Sequence, residues 1–524
     1  MLVDFDNASD GAEFHADLCV VGAGAAGITL AIELLNSGKK ILLIEGGGLR
    51  SSNDSQSLYA MAQDAPHYPS VTRSRLRFFG GSTNHWEGSC QTFDPIDFER
   101  RSWVSNSGWP FSYEELAPYY DRAFRYLELG RRYTDERPFT AHLGQYQQKI
   151  AAAGFRVRMV YSSPPTRFAE KYGDTLHSAS NISVLTRANL VSVNEAMDRR
   201  SVTSLTICNY KGQTASVKAR HYVICLGGIE NARALLLSDA VTPGGIGNEH
   251  DVVGRYFMDH PVIESAVFYP TPAFAQTWRN GRVRAGTDSY RLTFQADDGL
   301  LRRSNLTNAR MPLAWAPKAY TSPGVESAHQ LAKSLDGVLT HMWNVIGDAD
   351  IVLEQWRRRN GGGSPKHRAD EYGGYVMQTM IEQRPDRENR VLLSQERDAL
   401  GLRKGKILWR LSEQHRDDLD KLLRLFARGM GAQGIGILRS LLSSDTTNRR
   451  FEELMNFGHH HMGTTRASFD PKYGVVDGHQ RVHGRENLYL AGSSTFPTDS
   501  NVPPTTTIVA TTIRLADHLR QRLN

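Results

Sequence analysis

Apolar and polar positions fall into blocks of different texture along the chain. Asp17 to Val21 predicts a short apolar strand, Gly22 to Gly27 a glycine turn, and Ile28 to Ser37 a helix. Leu30, Ile32, Leu34 and Leu35 are the apolar positions of that helix, and Gly38 is its stop. Ile41 to Ile44 is apolar without interruption, as in a parallel sheet covered on both faces. Residues 50 to 110, rich in Ser, Arg, Gly and aromatics, predict ordered loop, and Tyr113 to Leu129 a helix. Val184 to Val193 and Tyr222 to Cys225 predict strands, the second running into Gly227-Gly228. From about 263 to 455 the pattern changes. Val376, Gln378, Met380 and Glu382 alternate as in a sheet with one wet face. Leu419, Leu422, Leu423 and Phe426 form a helix stripe, and Gly361-Gly362-Gly363-Ser364-Pro365 predicts a mobile loop. Past 456, glycine turns and apolar strands return, and a helix ends the chain.

Length and composition narrow this picture. A chain of 524 residues exceeds one simple core and predicts at least two domains. Its 40% hydrophobic and 23% charged residues are ordinary for a globular protein. A net charge of +6, without a basic stripe, gives no case for nucleic acid. Arg357-Arg358-Arg359 is expected at a helix end spilling into solvated loop. Cys19 and Cys225 lie in apolar runs and are expected to be buried thiols; no Cys-x-x-Cys suggests a metal ribbon or cluster. The acidic amino-terminus is unlike a signal peptide, and no apolar run approaches a membrane span, so the expected location is cytoplasmic.

Gly22-x-Gly24-x-x-Gly27 follows a strand and opens a helix, and Glu45 ends the next strand 18 residues after Gly27. Gly22 permits the tight turn, Gly24 lets the backbone approach a pyrophosphate, and Gly27 lets helix and strand pack closely. The helix start offers free N–H groups to phosphates. Glu45 is suited to ribose hydroxyls and repels a 2′-phosphate. This is a dinucleotide site, and the pattern alone does not separate FAD from NAD.

Three further stretches carry a resemblance. They are Phe79-Gly80-Gly81-Ser82-Thr83-Asn84-His85-Trp86, then Gly227 to Arg233 with Val253 to Pro261, then His460-His461-Met462-Gly463-Thr464 through Asn487 to Ser494 to Pro504-Thr505. In content and order they resemble the glucose–methanol–choline (GMC) oxidoreductases. The Gly-Gly-x-x-x-His-Trp form is most similar to pyranose oxidases, glycoside 3-oxidases and the large subunits of gluconate and fructose dehydrogenases. The resemblance implies an α/β chain (α+β overall): a Rossmann-like FAD-binding domain with an inserted substrate domain built on an antiparallel sheet. The FAD domain is expected from 1–110, 181–262 and 456–524, a bridging part from 111–180, and the substrate domain from 263–455. FAD is expected against Gly22, Gly24, Ala25, Ala26, Gly27, Glu45, Gly46, Gly80, Gly81, Asn84, His85, Trp86, Val191, Gly492, Ser493, Pro504 and Thr505. Of these, Leu190-Val191 would lie against adenine. The helix starting near Pro504 would face the flavin's pyrimidine ring.

The resemblance implies a covalent histidyl–FAD at His85; the other reading is a His bonded to loop backbone beside free FAD. Asn84 stands where tethered oxidases carry Thr. Alcohol oxidation sends a hydride from carbon to flavin N5 and needs a base for the hydroxyl proton, a role that falls on His460. In an extended run His459 and His461 would point away from it. That argues against a metal held by the three histidines, as does the lack of a carboxylate at ligand spacing. The family's second polar group, Asn or His before Pro-Thr, is here Pro503. Asn501 reaching in by a shifted loop, a residue of the substrate domain, or His460 alone are the alternatives.

The expected reaction is oxidation of a CH–OH group of a sugar, glycoside or related alcohol, with O2 or an electron-transfer partner as acceptor. A non-redox lyase or decarboxylase on this fold, and the catalytic subunit of a multi-subunit dehydrogenase, are the alternatives. Trp278, Tyr290, Trp315, Tyr320 and Trp343 are candidates to stack on sugar rings, with core packing as the competing role.

Overall fold

The computed structural model describes residues 1–130, 140–278, 281–285, 288–317, 322–332, 337–359, 372–442 and 451–524. The Gly361 to Pro365 loop and Tyr320 lie outside the described residues. Two large sheets organise the chain. The first has eight strands, in the order Leu2–Asp4, Ile182–Thr186, Ile41–Ile44, Ala12–Val21, Thr214–Ile224, Val202–Cys208, Asn189–Glu195, with Leu488–Leu490 also paired to Thr214–Ile224. Its centre is parallel, and the last two pairings are antiparallel. The uninterrupted apolar strands are buried on both faces: Ile41–Ile44 and Leu18 to Val21 are buried throughout. Cys19 and Cys225 are buried free thiols, as expected.

The second sheet has nine strands, and its pairings are antiparallel. Pro261–Pro270, Tyr372–Ile381, Ala309–Pro317 and Asp288–Ala296 are its middle. Helix Glu413–Ala432 packs on it through Leu419, Leu422, Leu423 and Phe426, all buried. Two strands of this sheet come from earlier in the chain: Phe155–Ser162 and Ser89–Cys90. Conversely, Arg390–Arg397 and Arg403–Leu408 leave it and form a separate three-stranded sheet with Ala62–Asp64.

Several elements differ from the pattern reading for local reasons. Val184 to Val193 is two strands, because Arg187 takes a left-handed turn (φ 58°) between Ile182–Thr186 and Asn189–Glu195. The first helix is Ala25–Glu33, starting directly on the glycine turn. Ser112 and Glu115 form a reciprocal capping box that starts helix Tyr113–Tyr126. The alternation at Val376, Gln378 and Met380 does mark a strand, Tyr372–Ile381. The face that carries Gln378 and Met380 lines a cavity. Trp278 and Tyr290 are fully buried, Trp278 stacked on Phe294 at 4.8 Å, and Trp343 is largely exposed. Trp315 is likewise absent from the cavity wall, so none of these four aromatics is placed to stack on a ligand there.

Candidate active site

A cavity of about 1050 Å³ runs between the two sheets. One end is made of backbone. Gly22 adopts φ 103°, and a Cβ there would lie 2.7 Å from the Cys225 carbonyl oxygen, so only glycine makes this turn. Gly24, with ordinary φ, caps helix Ala25–Glu33 without a side-chain bond, leaving free N–H groups at the cavity. A Cβ on Gly24, Gly227 or Gly492 would meet no protein atom within 4 Å, and all three line the cavity. The backbone has withdrawn there from a space a ligand would fill. Glu45 accepts from the N–H of Ala23 (3.0 Å) and of Gly47 (2.8 Å), which holds its carboxylate at the wall. Helix Thr505–Leu523 starts at Pro504, again without a side-chain cap, beside the other end of the same space. Two helix starts, withdrawn glycines and a fixed carboxylate are the donor set that a ribose and pyrophosphate require, so these residues fit a dinucleotide.

Ala25, Ala26, Gly46, Gly81, His85, Trp86, Ser493 and Thr505 also line the cavity. Val191 does not; Leu190 does, because successive strand residues face opposite ways. Gly27 packs behind the wall against Gly22, Gly80 turns the loop at φ 96°, and Asn84 donates to the Phe79 carbonyl. These three shape the wall without forming it. His85 is an exposed side chain at the cavity wall. Partial desolvation first, and the Arg167 charge second, lower its pKa and favour the neutral ring.

At the opposite end stands a histidine pair. His260 is fully buried, and its Nε2 lies 3.0 Å from the Asp499 carbonyl and 3.1 Å from that of Ser500. Carbonyls only accept, so Nε2 carries the hydrogen. Burial lowers His260 to about 4, so the ring is neutral and its Nδ1 is bare. His460 Nδ1, 2.8 Å away, must then donate to it, which leaves His460 Nε2 unprotonated. Burial, then electrostatic coupling to the adjoining His260 ring and the Arg310 charge, hold His460 well below the ordinary histidine range. The arrangement produces a neutral, oriented base at the cavity wall.

Sequence reasoning gives His260 no role of its own; it lies within the Val253 to Pro261 stretch. Asn501, expected as a catalytic side chain, is absent from the wall: it is buried and donates to Asn308 Oδ1 at 3.0 Å. The segment before Pro503 supplies backbone carbonyls to His260 in place of a side chain to the cavity. The three histidines do not alternate either. His459 takes φ 56°, which breaks the extended run, and His459, His460 and His461 all line the cavity. A carboxylate does join them: ligand atoms of Asp259, His459 and His461 lie within 4.8 Å of one another. The Asp259 oxygens are already engaged by Tyr68 O–H (2.6 Å) and the N–H groups of His260 (2.7 Å) and His460 (2.6 Å). That carboxylate ties the two histidine segments together.

Residues 17–356 match the family described as FAD dependent oxidoreductase, and 385–512 match that described as GMC oxidoreductase. The chain is similar to the fructose dehydrogenase large subunit of Gluconobacter japonicus, 24% identical over 96% of this chain and 97% of that protein. It is similar to the paromamine 6'-oxidase of Streptomyces fradiae, 26% identical over 95% of this chain and 90% of that protein. Among solved structures, a fungal aryl-alcohol oxidase superposes with TM-score 0.57 at 15% identity, covering 97% of this chain and 99% of that one. A formate oxidase does so with TM-score 0.56 at 16%, covering 98% and 99%.

Proposed function

The chain belongs to the FAD-dependent oxidoreductases and, through its carboxy-terminal part, to the GMC oxidoreductases; from that premise we propose that His460 is the base with which it oxidises a CH–OH group of a sugar, glycoside or related alcohol. The enzyme is an FAD-dependent oxidoreductase acting on hydroxyl donors. The histidine pair carries the reading of the base. FAD, when bound, would supply the two-electron oxidant that accepts hydride from the carbinol carbon. His460 Nε2 takes the hydroxyl proton as the O–H bond breaks and the carbon–oxygen double bond forms. His260 is a positioning residue: it sets the His460 tautomer and acts only through it. Gly22, Gly24, Ala25, Ala26, Glu45 and Gly46 would hold the ADP half. Gly81, His85, Trp86, Gly492, Ser493, Pro504 and Thr505 would surround the flavin half.

Anaerobic mixing of holoenzyme with a panel of sugars and alcohols tests this. Flavin bleaching by at least one donor, lost in His460→Asn with FAD content unchanged, is the expected result. No bleaching by any donor would favour the non-redox alternative. A tether at His85 is supported by the neutral ring's place at the cavity wall. Acid precipitation should give a yellow pellet; a colourless pellet with free FAD in solution removes the tether.

The second reading is the catalytic subunit of a larger dehydrogenase. One observation favours it: helix Val338–Gly347 buries none of its residues and exposes Leu339, Met342, Trp343 and Ile346. Stoichiometric peroxide in air would mark O2 as acceptor; turnover only with an artificial electron acceptor would favour the partner. Among the described residues no helix is long and apolar enough to cross a membrane. A cytoplasmic setting is supported by four buried cysteines without disulfides.

A further inference from the structure

The substrate-side wall of the cavity is built by alternate residues of the antiparallel sheet: Val160 and Ser162, Arg310 and Pro312, Gln378 and Met380. Register explains the grouping, since Arg310 pairs with Met380 and Arg291 with Val160. The sheet strands contribute two arginines to this wall, Arg291 and Arg310; the acidic residues that line the cavity, Glu45, Glu87, Glu230 and Asp398, come from other segments. Arg310 is the unusual one. It is buried, its Nε has no hydrogen-bond partner, and a terminal nitrogen reaches only the Met380 sulfur at 3.4 Å. Among the described residues it meets no carboxylate within ion-pair distance. Burial, and then the Arg291 charge, lower its pKa to about 10, and no neighbouring anion offsets them. A guanidinium in this position has five donors and almost nothing to donate to. Burying an unpaired charge is costly, so a structure that keeps one at a cavity wall has its partner in the ligand.

We propose that the substrate carries a carboxylate, bound by Arg310, so that this oxidoreductase acts on a hydroxy acid of the sugar-acid kind. The proposal rests on the reading of the cavity as a hydroxyl-oxidising site with His460 as base. A carboxylate takes a charge-assisted bond from the terminal nitrogens and neutralises the guanidinium, which a neutral sugar hydroxyl cannot do. Arg310 and His460 line the same cavity, and the Arg310 charge helps to lower His260 and His460. An anion on the guanidinium therefore shares the cavity with the base. Gln378 supplies a neutral donor and acceptor on the same wall, and Arg291, more exposed, reinforces the positive potential.

The test uses matched pairs on the holoenzyme. Glucose, glucuronate and glucose 6-phosphate are compared as reductants of the bound flavin under anaerobic conditions. Cyclohexanecarboxylate and cyclohexanecarboxamide, which have no hydroxyl to oxidise, are titrated against the oxidised flavin spectrum. The carboxylate members should saturate at concentrations lower by on the order of 10- to 100-fold. That advantage should vanish in Arg310→Gln and survive in part in Arg310→Lys. Equal binding of the carboxylate and the carboxamide by the unaltered enzyme overturns the proposal, even with glucose bleaching the flavin normally. A preference for the phosphate with none for glucuronate also overturns it. Should no reductant bleach the flavin, the hydroxyl-oxidation reading fails, and the cyclohexane pair still decides whether Arg310 holds a carboxylate. If the glutamine variant does not fold, the matched pairs on the unaltered enzyme decide alone.

Discussion

The two ends of the cavity are built on opposite principles. At the nucleotide end Gly22, Gly24, Gly227 and Gly492 keep the wall thin, helix N–H groups face the space, and buried charges are paired within the protein, as Arg75 is with Glu230 (2.8 Å) and Arg233 with Asp398 (2.6 Å). At the other end the side chains are titratable or lack a partner: Arg310 meets no carboxylate among the described residues, and His459, His460 and His461 line the wall with His260 behind them. Backbone donors are always charged the same way and need no tuning. Side chains that titrate must be tuned, and burial together with the Arg310 charge does so at His460. A cofactor common to many enzymes is met by geometry that spacing encodes. A substrate peculiar to one enzyme is met by side chains from several distant strands.

The sharpest way to break this contrast is Gly24→Val. Its φ is ordinary and a Cβ there meets no protein atom, so the fold should form. FAD should be largely lost, read from the ratio of flavin to protein absorbance. Normal FAD content in that variant would refute the nucleotide-end assignment. At the other end, His460→Asn should keep FAD and slow flavin reduction by about 10²- to 10⁴-fold. His260→Phe removes the acceptor that sets the His460 tautomer. A loss of about 10- to 100-fold is expected, in the rate of reduction more than in the half-saturating concentration. The pH profile is a further test. His460 is held low, so it remains a base at neutral pH, and activity should fall only on acidification below the ordinary 6.5. Arg310→Gln removes a repelling charge, raises that pKa and should move the acid limb to higher pH. The smallest effect is expected for Asn501→Ala: about 1–2 kcal/mol of stability through its buried bond to Asn308, and reduction rates within about twofold. A large rate loss there would return Asn501 to the catalytic role.

Periodicity and glycine spacing determined the nucleotide half by themselves. Strand, glycine turn, helix, strand and acid follow one another within a few dozen residues, so local sequence dictates their geometry. The His460 position was legible for the same reason, through a short local run. The rest was decided by pairings of distant segments. His260 meets His460 across 200 residues, and Asp259 binds the backbone of His460 across 201. Arg310 faces the cavity only because its strand pairs with Tyr372–Ile381 in one register; a shift by one residue would turn it to the other face. Asn501 and Val191 were misplaced because spacing along the chain does not say which way a buried loop or a bulged strand turns its side chains. Local sequence specifies backbone conformation, while the direction and charge of a side chain in a cavity depend on what the other strands place beside it.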